Sequence, residues 1–226
     1  PEALDELVKA SDLARKLGED AYLLQSRGNT AIVAFQIGEF DIALEASIET
    51  LAIAEESGDD ELAWKIANNL GAIHLRRGEN TKAIEAWSKA LETRAASGNP
   101  AAVAKILNNV SVAYMYASDY ENALEFAQRA REYYESQNDS QGLAATLSNL
   151  GDIHHLTGDH DSAVELHIAA LALRKALGVE SDVAQTHHSL GVALVGLENF
   201  EEALKHYELA VEMQRRLDLK PQLAAT

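Results

Sequence analysis

Seven of the eight histidines in this 226-residue sequence fall after residue 150, and imidazole is the side chain best suited to ligate a metal or move a proton near neutral pH. His155 and His188 with Asp152 combine two imidazoles and a carboxylate, a feasible set for zinc or nickel if adjacent helices bring them together. Two features oppose such a site. The neighbours His154 and His155, like His187 and His188, must point to different faces of a helix, and His160 falls in a turn. Asp152, His155 and His188 are therefore weak metal candidates, and no metal or other cofactor is expected. The sequence has no glycine-rich phosphate loop, no H-E-x-x-H and no G-x-S-x-G. Paired acids such as Glu55-Glu56 and Asp59-Asp60 sit beside turn residues, where solvated charge is the ordinary explanation. No catalytic residue is assigned, and the chain is not expected to be an enzyme.

Asparagine offers a different chemistry. Asn29, Asn69, Asn109 and Asn149 recur every forty residues, followed by Ser189, and the position before them reads Gly28, Asn68, Asn108, Ser148 and His188. Asparagine is a mediocre helix former, so its repetition at one helix-interior position needs a reason. A carboxamide donates to a backbone carbonyl and accepts from a backbone N–H, which suits an extended peptide lying along a groove. The same groups could instead bond to neighbouring helices and stabilise the stack. Each such bond contributes only about 0.5–1.5 kcal/mol net, so useful affinity requires several together. Lys65 and Lys105 lie one turn before Asn69 and Asn109, and Arg76 lies further along, so the three could receive an acidic side chain or a terminal carboxylate. Solvated lysines are the plainer reading. Phe35, Leu75, Met115, Tyr116 and Val195 could add apolar pockets or belong to the core.

The elements that carry these residues follow from a repeat. A shift of forty residues superposes Ala3, Ala43, Ala83, Ala123, Ala163 and Ala203 without an insertion, and likewise Leu70, Val110, Leu150 and Leu190. It also aligns Gly71, Ser111, Gly151 and Gly191, and Ala90, Ala130, Ala170 and Ala210. Gly18, Gly58, Gly98, Asn138, Gly178 and Asp218 align too, mostly types that tolerate the left-handed end of a helix. Apolar residues at helical spacing flank a short break in each unit. First helices are expected near 21–37, 61–77, 101–117, 141–157 and 181–197, and second helices near 41–57, 81–97, 121–137, 161–177 and 201–217. Gly71 and Ala83 mark places where helices must approach closely.

Leu70-Gly71, His74, Gly78, Ala83 and Ala90, repeated as Leu150-Gly151, His154, Gly158-Asp159, Ala163 and Ala170, resemble the tetratricopeptide repeat pattern. The resemblance covers essentially the whole chain. The forty-residue period is similar to the long-helix branch found in Pins/LGN-type adaptors, kinesin light chains and bacterial signalling proteins. Departures are Ser118 and Glu198 at the turn glycine and Thr30-Ala31 in place of Leu-Gly. The resemblance implies an all-α, right-handed superhelical solenoid of antiparallel helix hairpins, with first helices on the concave face. It also implies that asparagines of the 69, 109 and 149 column hold peptide backbone, and that His74 and His154 replace a tyrosine packed between helices. The strip of Lys65, Lys105 and Arg76 partly resembles the carboxylate clamp of chaperone cofactors, but Asn68 and Ala72 stand where that clamp has its other lysine and asparagine.

The expected organisation is a single array over 1–226. Residues 2–17 form the second helix of a truncated repeat, five hairpins span 21–57, 61–97, 101–137, 141–177 and 181–217, and 221–226 start a further repeat. The chain therefore reads as a fragment of a longer protein whose exposed ends could associate end to end. With 36 acidic and 19 basic side chains its formal charge is −17, which repels nucleic acid and anionic membranes. The absence of cysteine leaves cytoplasm and periplasm open, with the cytoplasm favoured. The expected role is a protein-interaction module that holds a partner's peptide in its groove through Asn69, Asn109, Asn149, Asn68, Asn108, Lys65, Lys105, Arg76 and His188. The alternative is a sensory domain of a bacterial signalling protein that binds a signalling peptide or small ligand and controls an attached output domain.

Overall fold

Acidic or amide side chains start many of the helices. Asp59, Asn99, Asp119, Asp139 and Asp159 each accept a hydrogen bond from a backbone N–H two or three residues on, satisfying a donor that the first turn leaves free. Helix ends are made by left-handed residues: Gly18, Gly38, Gly58, Gly78, Gly158 and Gly178 all have φ between 71° and 86°. Ser118, Asn138 and Glu198 adopt the same conformation, with φ of 61°, 53° and 58°, although Ser and Glu carry a Cβ that disfavours it. Backbone bonding, not residue type, holds these turns. Glu198 N–H, for example, donates to Val195 O at 2.9 Å and Asn199 N–H to Leu194 O at 3.0 Å.

The computed structural model describes residues 2–92 and 98–224, with side chains over 2–92 and 98–217. All regular structure among them is helical: α1 (Glu2–Leu17), α2 (Asp20–Ile37), α3 (Phe40–Ser57), α4 (Asp60–Arg76), α5 (Asn80–Glu92), α6 (Pro100–Tyr116), α7 (Tyr120–Ser136), α8 (Ser140–Leu156), α9 (His160–Leu177), α10 (Glu180–Gly196) and α11 (Phe200–Ala224). The end of the second helix expected over 81–97 lies at 93–97, outside the described residues. The break expected at Asp218 is not formed. Instead α11 runs on to Ala224, so the helix expected to begin near 221 is a continuation of α11, and 225–226 lie outside the described residues.

Two compact units divide the chain, Pro1–Ala117 and Ser118–Thr226. In the first, α1 to α6 pack each on the next, and α4 also touches α6. In the second, α7 to α11 do the same, and α8 also touches α10. Consecutive packed helices joined by such short turns must run antiparallel. Alanine makes close packing possible: Ala43, Ala83, Ala123 and Ala163 have no exposed surface. No helix among the described residues is long and apolar enough to cross a membrane.

Candidate functional site

Helical spacing puts Asn69 on the open face of α4, where it is exposed. Its neighbour Asn68 is half-buried and turned to the structure: its Oδ1 accepts from Trp87 Nε1 at 3.1 Å and from Asn109 Nδ2 at 3.4 Å. Trp87 Nε1 also donates to the Asn68 backbone carbonyl at 3.0 Å. Asn109 therefore links α6 to α4, while Asn108 and Asn149 are half-buried on α6 and α8. Both readings of the asparagines have a place here, with Asn68 bonding within the stack and Asn69 open to solvent. The cations do not act alike. Lys65 pairs with Glu61 at 2.7 Å on its own helix. Lys105 and Arg76 are exposed and form no ion pair among the described residues. The adjacent Arg77 pairs with Asp41 and, at 3.1 Å, with Glu79. Of the apolar candidates, Met115 is buried, Phe35 and Leu75 are half-buried, and Tyr116 and Val195 are exposed.

A cavity of about 260 Å³ opens beside Asn69, lined by Ala31, Ile32, Phe35 and Gln36 of α2, Ser47 of α3, and Ala72 and Ile73 of α4. Its floor is unusual. Ser47 is fully buried, and its hydroxyl has no hydrogen-bond partner among the described residues. A buried hydroxyl left unpaired costs about 1–3 kcal/mol. A shallower hollow lined by Gly38, Phe40 and Arg76 shares Phe35 and Gln36 with this cavity.

In the second unit the histidines gather on the packed faces. Asp152 of α8 lies 3.5 Å from His167 Nε2 of α9 and takes a hydrogen bond from Ser189 of α10, the last member of the asparagine column. Burial raises the Asp152 carboxyl to about 6 despite Arg174 and Ser189, which lower it. Burial lowers His167 to about 4, helped by Arg174 and His155. The ring of His167 is fully buried, and its Nδ1 has no hydrogen-bond partner among the described residues. His187 Nδ1 and His206 Nδ1 are 2.8 Å apart. Burial and then His206 lower His187 to about 4, and burial also lowers His206. His155 lies against His160, Nδ1 to Nδ1 at 3.2 Å, and is lowered by burial and by His160.

Of the weak metal candidates, Asp152 faces His167, His155 faces His160, and the exposed His188 lies 5.4 Å from the Tyr207 ring. No group of three His, Cys, Asp or Glu suited to a metal occurs among the described residues. His160 starts α9 rather than lying in a turn, and its ring packs on Gly196 of α10. His74 and His154 are both half-buried. Each bonds a carboxylate five residues on, Glu79 at 2.6 Å and Asp159 at 3.0 Å, and so ties its turn.

Sequence reading missed the cavity, although a signal existed. Positions 47, 87, 127, 167 and 207 share one place in the repeat and read Ser, Trp, Ala, His and Tyr. The facing glycines Gly71, Gly151 and Gly191 leave room for rings: an added Cβ would overlap Trp87, would lie 2.7 Å from His167 and 2.7 Å from Tyr207. Opposite Ser47 stands Ala31, so both sides of this pair differ.

The family model described as Tetratricopeptide repeat matches residues 63–136 and 142–216. A search of curated protein sequences finds no match. Among solved structures, BtubC (BKLC) from P. vanneervenii is similar at 24% identity and a TM-score of 0.79, over 96% of this chain and 91% of that one. A Podosopora anserina protein named as a kinesin light chain with nearly identical TPR-like repeats is similar at 19% identity and a TM-score of 0.68, over 86% and 96%. NprR, solved in complex with its cognate peptide NprX, is similar at 19% identity and a TM-score of 0.71, over 94% of this chain and 63% of that one.

Proposed function

Because the chain belongs to the tetratricopeptide repeat family, we propose that it is a protein-interaction module that binds an extended peptide segment of a partner along its first helices. The observation that carries this is Asn69, an exposed carboxamide at the mouth of an apolar cavity. An exposed amide can bond peptide backbone while the cavity beside it supplies apolar contact, the combination by which grooves hold extended chains. Asn109 of α6 and Asn149 of α8 hold the same repeat position as Asn69, and Lys105 and Arg76 offer cations to acidic side chains of the peptide. Asn68 acts by holding Trp87 and Asn109 in place. Lys65, Asn108 and His188 complete the proposed contact set.

A peptide-array screen tests this, with Asn69→Ala, Asn109→Ala and Asn149→Ala combined in one folded variant. Peptides bound by the parent should be lost or weakened at least tenfold. Retained binding in the triple variant would overturn the role of the column. The likeness to the NprR–NprX complex supports a second reading, in which the peptide is a signalling peptide and the chain regulates an output domain. A change in the array's compactness on binding, measured by small-angle scattering, would favour that reading.

A further inference from the structure

Three of the other four residues at the repeat position of Ser47 carry a ring, and the fourth is Ala127. Trp87 and His167 are buried, Tyr207 is half-buried, and each ring lies on a glycine of the preceding helix. The α2–α3 hairpin has Ser47 and Ala31 there, and the space where a ring would lie is the 260 Å³ cavity. Two observations point to an occupant. The buried Ser47 hydroxyl lacks a partner, a cost that a polar ring atom entering the cavity would remove. The mouth is flanked by Asn69 and by the adjoining hollow of Arg76, a cation without an ion pair among the described residues.

We infer that this cavity receives one aromatic side chain, tryptophan or tyrosine, of a partner peptide, and that Arg76 takes a carboxylate one or two residues away on the same peptide. The inference rests on the peptide-binding reading above and names its anchor. Size agrees, since an apolar cavity of about 150 Å³ already accepts a benzene ring. An indole N–H or a phenol O–H reaching Ser47 Oγ would do for the ligand what Asn68 does for Trp87 Nε1 in the next hairpin. Spacing agrees too. Arg76 follows Ala72 by one helical turn, about 6 Å of rise, and an extended peptide covers about 3.3–3.6 Å per residue. Partner-ring insertion would thus complete the α2–α3 hairpin as Trp87, His167 and Tyr207 complete theirs.

The blocked dipeptides acetyl-Trp-Asp-amide and acetyl-Trp-Asn-amide test this by NMR titration of the full chain. Amide shifts should map to residues 31, 47 and 72, with the Asp probe at least threefold tighter than the Asn probe. Arg76→Ala should abolish that difference. The double variant Ala31→Gly with Ser47→Trp rebuilds the Gly71–Trp87 pair inside the cavity, so it should weaken both probes at least tenfold while the helical signal is kept. Shifts that map elsewhere in the parent protein, or undiminished affinity in a folded double variant, would overturn the inference. The shift map decides even if the double variant does not fold. A peptide whose binding needs the asparagine column but ignores the double variant would sink the anchor and leave the groove reading standing. Probe binding at the cavity with no array peptide bound would do the reverse.

Discussion

Ser47 in the first unit and His167 in the second occupy one position of the repeat, yet one leaves a cavity and the other fills its space with an ionisable ring. Around Ser47 the neighbours are Ala31 and apolar residues of α2 and α4. Around His167 they are Gly151, Asp152 and Arg174. The repeat backbone thus accepts either a vacancy or a buried polar group at the same place. The vacancy is suited to a ligand, and the buried ring makes the unit's stability depend on pH. Seven of the eight histidines lie in the second unit, which sharpens that difference.

The largest effect should come from emptying a ring position in the first unit. Trp87→Ala removes a fully buried indole and the shorter of the two hydrogen bonds that Asn68 Oδ1 accepts, so denaturant unfolding should lose about 3–5 kcal/mol. A loss below about 1 kcal/mol would mean that these positions tolerate vacancy freely and that the Ser47 cavity has no special standing.

Acid should separate the two units next. His167 and His187 hold values of about 4, below the usual histidine value of about 6.5, and His155 and His206 are also lowered. A histidine depressed in the folded state favours unfolding once protons are available. Its contribution is complete above about pH 6.5 and is lost as pH falls toward 4. Asp152, raised to about 6, acts oppositely: its ionised form is costly near neutrality, and that cost is relieved as pH falls through 6. One carboxylate, partly exposed, offsets only part of the imidazole effect, leaving a net loss of stability as pH falls toward 4. Hydrogen exchange at pH 7 and pH 4.5 should show α8 to α11 losing protection before α2 to α5. The reverse order would break the comparison.

A smaller effect tests the glycine that admits the ring. In Gly151→Ala the added Cβ would lie 2.7 Å from the His167 ring, so the ring must shift at a cost of about 1–3 kcal/mol, read from the denaturation midpoint. The smallest expected change has the opposite sign. Glu198 holds φ of 58° in the turn before α11, and Glu198→Gly should relieve strain and raise stability by about 1 kcal/mol or less. An unchanged or lower melting temperature would show that flexibility gained in the unfolded chain cancels the relief.

The repeat, the helical class and the turn positions were legible because they follow from local rules: apolar spacing, caps and residues that tolerate positive φ. Asp218 shows where such rules fail. It aligns with turn glycines, but α11 continues through it, whereas Ser118 and Glu198, types no better suited to positive φ, do form turns. The site was half legible. The asparagine column was visible, but the contrast between exposed Asn69 and bonded Asn68 depends on Trp87, a partner nineteen residues away.

By itself the sequence determined the forty-residue hairpin pattern, the acidic surface and the family, because each rests on residue type and spacing along the chain. Only the tertiary structure decided which histidines pair, that Asp152 meets His167, and that Ser47 lies beneath a cavity. Those outcomes depend on volumes facing one another across helices. A serine in a helix is unremarkable until the packing shows that nothing fills the space above it.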